Sequence, residues 1–357
     1  MNKKKICFIG HFGQRNNAFD GQTIRTLLFY DELNKSGEFK ISIIDTTTAS
    51  KHKIRFVFSL FFKCLVNKRV IIMLSDVGRN QLFKFFKYFR CFKRNIIYNN
   101  VIGGNFHETI PSQYIKVVKS FNINWVQTKK LMDEMQKIGV TNCGILPNFR
   151  SNDIADDDVS FDCSNGIFDF CMFSRLSEDK GITSAISSIA ELNSKASKEY
   201  IHLHLFGKIE NRYKELFFKL LKENNSFVHY YGPIDSSKAS STLSKFYCLL
   251  FPTYWKGEGF PGTILDAFFA GIPVIASDWN CNSELIENGY NGFVYPNESM
   301  SNLTEAIMFS IENKNLFLKM RKNCRETAKL FKSEKHMPKV IDYICNNLKY
   351  GDWNENN

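Results

Sequence analysis

The chain alternates short apolar runs with longer stretches of helical period, and it does so twice. Runs rich in Ile, Val and Phe stand at KICFIGHF, FKISIID, RVIIMLSD, NIIYNNVI, INWVQT and CGILPNF in the first half. A second series follows at FDFCMFSRL, IHLHLFGK, FVHYYGPI, YCLLFPTY and PVIASD. Strands apolar on both sides and separated by helices belong in a parallel sheet, because a parallel crossover requires a connecting helix and lays it on a sheet face. The pattern therefore predicts an α/β protein with two doubly wound sheets. Helices are clearest at GQTIRTLLFYDELNKSG and KKLMDEMQKIG, each closed by a glycine at the C-cap. After GFVYP the chain reads as helical to its end, with SNLTEAIMFSIEN and LFLKMRKNCRETAKLFK as amphipathic segments. The acidic stretch SNDIADDDVSFDCSNG is polar enough for a linker. These signals divide the chain into residues 1–150, a linker at 151–166, a second domain at 167–332, and a C-terminal helix at 333–357 that crosses back to the first domain.

A chain of 357 residues with 44% apolar content can fill two cores. It contains no run near the roughly 20 apolar residues that a membrane-spanning helix needs, and the start MNKKKICFIGHF does not read as a signal peptide. Ten cysteines without a CxxC pair fit a reducing compartment, with most of them buried. Together these features predict a cytoplasmic protein. Charge is uneven: residues 1–150 hold 25 Lys and Arg against 9 Asp and Glu, whereas residues 151–357 hold 22 against 27. Anionic lipid, nucleic acid or a phosphorylated substrate would each suit the basic half. Without a recognition motif or a basic–aromatic sheet signature, nucleic acid is not expected.

One segment of the basic half departs from plain α/β patterning. In Asn80–Asn95 a helical wheel sets Leu82, Phe85, Phe86, Tyr88, Phe89 and Phe92 opposite Lys84, Lys87, Arg90 and Arg94, with Phe83 and Lys93 as exceptions. Such a helix either lies in an anionic bilayer surface or covers a sheet with a basic outer face. The similar composition of HKIRFVFSLFFKCLVNKR upstream tilts the reading toward an anionic membrane surface contacted by residues 51–95.

The stretch KGEGFPGTILDAFFAGIPVIASD carries the chemistry. Glu258 and Asp266 stand eight residues apart across a turn containing Gly257, Gly259, Pro261 and Gly262, between a predicted strand and a predicted helix. The turn thus lies at the carboxyl edge of a parallel sheet, where ligands bind in open α/β folds. Glycines let backbone pass close to a ligand, and the helix start near Thr263 favours an anion. Two carboxylates would repel phosphate, but they accept hydrogen bonds from sugar or ribose hydroxyls. Arg175 and Lys180 in SRLSEDKG fall at the same edge and suit a diphosphate. In the first domain Gly10, Gly13 and Gly21 flank a strand end and a helix start, and His107 in VIGGNFHE follows another strand. His202 and His204 share one side of a strand as two metal ligands would; no third ligand has a matching spacing, so packed or solvent-facing imidazoles are the preferred reading. Glu284 and Glu287 fall on a predicted short helix after Asp278.

The order SRLSEDKG, FGK, YYGPI, PTYWKGEGFPGTILDAFFAGIPVIASD and ELIENGYNGFVY closely resembles retaining glycosyltransferases of family 4, over about Phe168 to Pro296. The form TYWKGEGFPGT is most similar to bacterial enzymes of capsular, O-antigen or exopolysaccharide synthesis. The resemblance implies a GT-B fold of two Rossmann-like domains facing a cleft. It also implies transfer of a hexosyl unit from a nucleotide diphosphate sugar, a UDP-sugar first, to a lipid-linked or growing oligosaccharide, on the inner face of the membrane. By this resemblance Arg175 and Lys180 hold the diphosphate. Glu258 and the backbone of Gly259, Phe260, Pro261 and Gly262 hold sugar hydroxyls, the amides of Thr263 and Ile264 meet phosphate, and Asp266 binds the ribose diol. Gly207, Gly232 and Ile234 lie near the nucleotide, Gly13 and Gly21 line a phosphate and acceptor loop, and His107 faces the donor sugar. The family usually has Glu where this chain has Asp266. No cofactor and no metal is implied. A non-catalytic sugar or lipid-headgroup binding subunit, or a sugar-nucleotide epimerase, are the alternatives.

Overall fold

In the computed structural model, which describes residues 3–13, 20–49, 53–89, 94–156, 166–297 and 299–354, the chain forms two compact units. The first comprises Met1–Asn148 with Ser333–Asn357 and the second Phe149–Lys332.

The first unit is built on one parallel sheet. Its strands are β1 (Lys4–Gly10), β2 (Phe39–Asp45), β3 (Arg69–Leu74), β4 (Ile96–Val101), β5 (Ile123–Val126) and β6 (Cys143–Ile145), in the order β2-β1-β3-β4-β5-β6. All six coincide with the apolar runs read from the sequence. Cys7, Ile9, Val70, Ile72, Val101 and Val126 meet Phe83, Phe106 and Leu131 in one core beneath the flanking helices. Two asparagines buried on adjacent strands pair with each other: Asn99 Nδ2 donates to Asn124 Oδ1 at 2.8 Å. Arg25, also buried, donates to the carbonyl of Leu146 at 3.2 Å and to Asn148 Oδ1 at 3.0 Å, which ties the helix Gly21–Lys35 to the end of the unit's last strand.

The chain's final helices, Ser333–Asn346 and Tyr350–Asn354, pack in this first unit. Trp353 is buried against Trp125 and Tyr343, with ring centroids 5.4 and 5.3 Å away. Glycine is required beneath it, because a Cβ on Gly144 would lie 2.3 Å from Trp353 Cδ1.

The two aromatic, basic helices of this unit divide the work differently from the sequence-based expectation. In Asp76–Tyr88 the residue out of phase on the helical wheel, Phe83, is fully buried, and Leu82, Phe85 and Phe86 pack on the same core. That helix covers the sheet. The exposed apolar row instead lies on Lys53–Val66, where Leu60 and Cys64 face inward while Ile54, Phe58, Phe62 and Val66, spaced by one helical turn, face outward at 76%, 60%, 58% and 63% exposure. Phe61 joins this row to the exposed Phe89 at 5.8 Å between centroids. Phe92, Lys93 and Arg90 lie outside the described residues.

The second unit has strands β7 (Phe168–Phe173), β8 (Ile201–Phe206), β9 (Val228–Tyr230), β10 (Cys248–Phe251), β11 (Val274–Ser277) and β12 (Gly292–Tyr295). They are ordered β12-β11-β10-β7-β8-β9, and every pairing is parallel. The last strand, Gly292–Tyr295, coincides with the GFVYP segment that the sequence marks as the boundary before the terminal helices. Of the expected linker, residues 157–165 lie outside the described residues, and the part before them is docked: Ala155 N donates to Phe269 O at 2.8 Å and Asn152 Nδ2 to Ser236 O at 2.7 Å. Among the described residues, eight free cysteines are present and seven are buried. No helix among them is long and apolar enough to cross a membrane.

Trp353 fills a site that only its own side chain matches, so Trp353→Ala is expected to lower unfolding stability by about 3–5 kcal/mol. Urea denaturation followed by circular dichroism measures this, and an unchanged midpoint would show that the final helix is not integral to the unit.

Candidate functional site

In the second sheet the chain runs from β7 outward through β8 to β9 and then returns to place β10 on the other side of β7. The carboxyl ends of β7 and β10 therefore flank the topological switch point, the position where open α/β sheets bind ligands. Arg175 follows β7, and the glycine-rich loop follows β10.

Lys180 and Glu258 meet there. Lys180 Nζ donates to Glu258 Oε2, and both side chains are 8% exposed. Lys180 lies in the short 3-10 turn Glu178–Lys180 leading into the helix Ile182–Lys195. Thr253 Oγ1 donates to the same carboxylate oxygen at 3.2 Å. Two charges withdrawn from water in this way are tolerable only when paired and hydrogen-bonded. The ammonium retains further donors beyond the one used by Glu258.

Trp255, to which the sequence reading gave no role, gathers the cations. The Lys180 Nζ lies 4.6 Å and the Arg175 guanidinium carbon 5.4 Å from the centroid of its ring. Arg175 is exposed, whereas Lys180 is buried. Both cations are attracted to the negative face of the indole, so one half-exposed ring holds an Arg and a Lys side by side. The loop is braced from beyond β11: Trp279 Nε1 donates to Trp255 O at 2.8 Å, Asn280 Nδ2 to Glu258 O at 2.9 Å and Cys281 Sγ to Gly259 O at 2.7 Å.

Asp266 is engaged by a partner that the sequence did not reveal. Arg150 Nε and Nη2 donate to its two carboxylate oxygens at 2.6 and 3.1 Å, a buried bidentate pair. Arg150 is at the entry to the second unit, where its amide also donates to Phe331 O at 3.0 Å near the exit. Gly262 is explained by this pair: a Cβ there would lie 2.2 Å from Arg150 Nη2. Its absent side chain makes room for a guanidinium, not only for a ligand. The helix Gly262–Phe269 begins without a side-chain cap; Thr263 Oγ1 donates to Phe173 O at 2.6 Å and the Ile264 amide to Pro261 O at 3.2 Å. Phe260 is buried against Phe331, 5.5 Å between centroids, so within the loop only its backbone is available to a ligand.

Gly207 and Gly232, at the ends of β8 and β9, are joined by a hydrogen bond from Gly207 N to Gly232 O at 2.9 Å. Gly207 has φ +142°, and a Cβ on it would strike Ser174 O at 1.7 Å, which requires glycine whatever binds nearby. Ile234 is partly buried and packs against the core cluster that includes Leu265 and Phe268. In the first unit Gly13 follows β1 with φ +67°, and Gly21 opens the helix capped by Asp20, whose carboxylate accepts from Thr23 N at 2.9 Å. His107 stands on the short helix Phe106–Thr109 after β4. Its Nε2 is 4.0 Å from a Glu134 oxygen, and its buried Nδ1 has no hydrogen-bond partner. Glu284 lies on the helix Asn282–Leu285, with Glu287 just beyond it; both are exposed.

Residues 164–331 match the model of the family described as glycosyl transferases group 1. An uncharacterized glycosyltransferase of Methanocaldococcus jannaschii is 30% identical over 186 residues, covering 49% of this chain and 45% of that protein. The N,N'-diacetylbacillosaminyl-diphospho-undecaprenol alpha-1,3-N-acetylgalactosaminyltransferase of Campylobacter jejuni is 30% identical over 105 residues, 29% of this chain and 27% of that protein. The chain thus spans less than half the length of the curated relatives it matches. Among solved structures, HepE of Anabaena in complex with UDP and glucose superposes with a TM-score of 0.74 at 14% identity, covering 97% of this chain and all of that one. Sucrose-phosphate synthase of Thermosynechococcus elongatus gives 0.75 at 13% identity, with 97% of this chain and all of that one covered. The fold, two parallel six-stranded α/β units, is the GT-B fold of these neighbours.

Removing one member of the buried Lys180–Glu258 pair leaves the other charge unpaired. Lys180→Met alone is expected to cost about 3–5 kcal/mol of stability, most of it recovered in the double variant Lys180→Met/Glu258→Gln. Equal urea midpoints for the single variant and the parent chain would contradict the buried pairing.

Proposed function

We propose that this chain is a retaining glycosyltransferase that moves a hexosyl unit from a nucleotide diphosphate sugar, a UDP-sugar before other donors, to a lipid-linked or growing oligosaccharide. The observation that carries the reading is the cluster at the switch point of the second unit. Arg175 and Lys180 share Trp255, Glu258 is held by Lys180, and an uncapped helix start lies on the same loop. Agreement of residues 164–331 with the glycosyl transferases group 1 model gives independent support. The presence of UDP and glucose in the HepE neighbour supports the choice of donor, and the diphospho-undecaprenol in the name of the Campylobacter relative supports a lipid-linked acceptor.

In this reading Arg175 and Lys180 take the diphosphate, aided by the helix start at Thr263 and Ile264, and stabilise the charge that develops on the leaving group. Fixed cations do this without a metal ion. Glu258 and the backbone of Gly259–Gly262 accept and donate to the sugar hydroxyls. Asp266 uses lone pairs not taken by Arg150 for the ribose, a carboxylate having about four. Gly207, Gly232 and Ile234 border the base. In the first unit Gly13, Gly21 and His107 are the candidate acceptor-side residues. The departing phosphate itself takes the acceptor proton, so no protein base is assigned.

The outer row of Ile54, Phe58, Phe62 and Val66 is the membrane contact in this proposal, in place of the Asn80–Asn95 helix. It is an apolar strip on the basic half of the chain, and exposed Arg55, Lys84 and Lys87 accompany it. Apolar insertion combined with attraction to anionic headgroups is how an interfacial helix binds. The protein is then peripheral on the inner membrane face, within reach of a lipid-linked acceptor.

Calorimetry with UDP-, GDP-, ADP- and CMP-sugars in EDTA is expected to show selective binding that Arg175→Ala abolishes, while Glu258→Gln lowers turnover by at least ~10²-fold. Failure of every donor to bind would favour a non-catalytic binding subunit. Co-sedimentation with phosphatidylglycerol vesicles is expected to be lost at high salt and in an Ile54→Ser/Phe58→Ser/Phe62→Ser variant; equal sedimentation of that variant would remove the helix from the interface.

A further inference from the structure

The two histidines on β8 have neighbours that linear spacing hid. In the parallel register Asp169 of β7 lies beside His202, and His229 of β9 lies beside His204. Residues paired in register on adjacent strands project to one face, so Asp169, His202, His204 and His229 form a grid across three strands. One ligand atom each from Asp169, His202 and His204 falls within 4.8 Å of the others. Asp169 Oδ1 is 2.8 Å from His204 Nε2 and 3.6 Å from His202 Nδ1. The His229 ring lies 5.1 Å from that of His204 and 5.5 Å from that of His202.

From this geometry we infer a binding site for a divalent ion of the zinc class, with Asp169, His202 and His204 as its three protein ligands, a water in the fourth position and His229 beside the site. A tetrahedral ion with bonds of about 2.0–2.1 Å sets its ligand atoms about 3.4 Å apart, a separation that lies between the two Asp169 distances of 2.8 and 3.6 Å. The set of imidazole nitrogens with one carboxylate oxygen is one that zinc accepts. A further contact fits this assignment. His204 Nδ1 lies 3.0 Å from Tyr231 Oη, so with Nε2 on the ion, Nδ1–H donates to the phenol and fixes the ring, as outer hydrogen bonds do for metal-bound histidines.

The site is separate from the proposed donor site. Asp169 precedes Arg175 by six residues on the same strand and its exit, roughly 20 Å at about 3.3 Å per residue. Its role is structural: it staples β7, β8 and the edge strand β9, whose carboxyl ends lead to Arg175, Gly207 and Gly232.

The test uses the full chain without a histidine tag, stripped with EDTA and titrated with Co²⁺ and then Zn²⁺. One equivalent of cobalt is expected to give the visible absorption of a tetrahedral site, displaced by zinc. His202→Asn and His204→Asn are expected to abolish it, and Tyr231→Phe to weaken zinc binding by about 10–100-fold. Zinc should raise the melting temperature of the parent chain only. Donor binding in EDTA should be unaffected in His202→Asn, so failure of this site and failure of the donor reading are distinguishable. Absence of cobalt absorption, or equal binding by both histidine variants, would overturn the assignment and leave a hydrogen-bonded cluster.

Discussion

Four charged side chains withdrawn from water govern the second unit. Lys180 with Glu258, and Arg150 with Asp266, are buried pairs gathered around one loop and the helix that follows it. An isolated charge at that depth would cost several kcal/mol, whereas a hydrogen-bonded partner makes the arrangement tolerable. Much of the local sequence then follows from housing these pairs. Thr253 takes up a further bond to Glu258, Gly262 leaves space for the Arg150 guanidinium, and the segment Trp279–Cys281 holds the loop's carbonyls. The two pairs also differ in what they connect. Lys180–Glu258 joins the ends of two strands at the switch point, while Arg150–Asp266 joins the chain's entry into the unit to the helix behind the loop.

A site built on pairs is preorganised in a specific sense. Its cations are already aligned by Trp255 and its carboxylate is already oriented by Lys180 and Thr253, so a polar ligand meets fixed dipoles and little reorganisation is required. The buried members are also held by their pairing in the fold, so under the proposed function the same side chains would serve both folding and binding. Arg175 is the exception. It is exposed and touches the pair only through the shared indole, so it separates binding from folding more cleanly than Lys180 or Glu258 does.

The basic half of the chain illustrates how a helical wheel misleads. A wheel ranks faces by composition, and Asn80–Asn95 and the helix before it are both aromatic and basic. Which face is turned inward depends on the register of each helix over the sheet. Phe83, out of phase on the wheel, is fully buried because it packs against Phe106, Tyr114 and Phe121, while Phe58 and Phe62 point outward although they are equally aromatic.

By itself the sequence determined the architecture: eleven of the twelve strands, both parallel sheets, and the placement of Arg175, Lys180, Glu258 and Asp266 at one sheet edge. Those features follow from local periodicity and from the rule that parallel strands carry ligands at their carboxyl ends, neither of which needs long-range information. Tertiary structure alone decided the partners. That Arg150 holds Asp266 across 116 residues, that Trp255 gathers two cations, that Gly144 accommodates Trp353, and that Asp169 and His229 flank His202 and His204 are all contacts between residues distant in the chain. They depend on strand register and side-chain direction, which a single sequence does not encode in any fixed spacing.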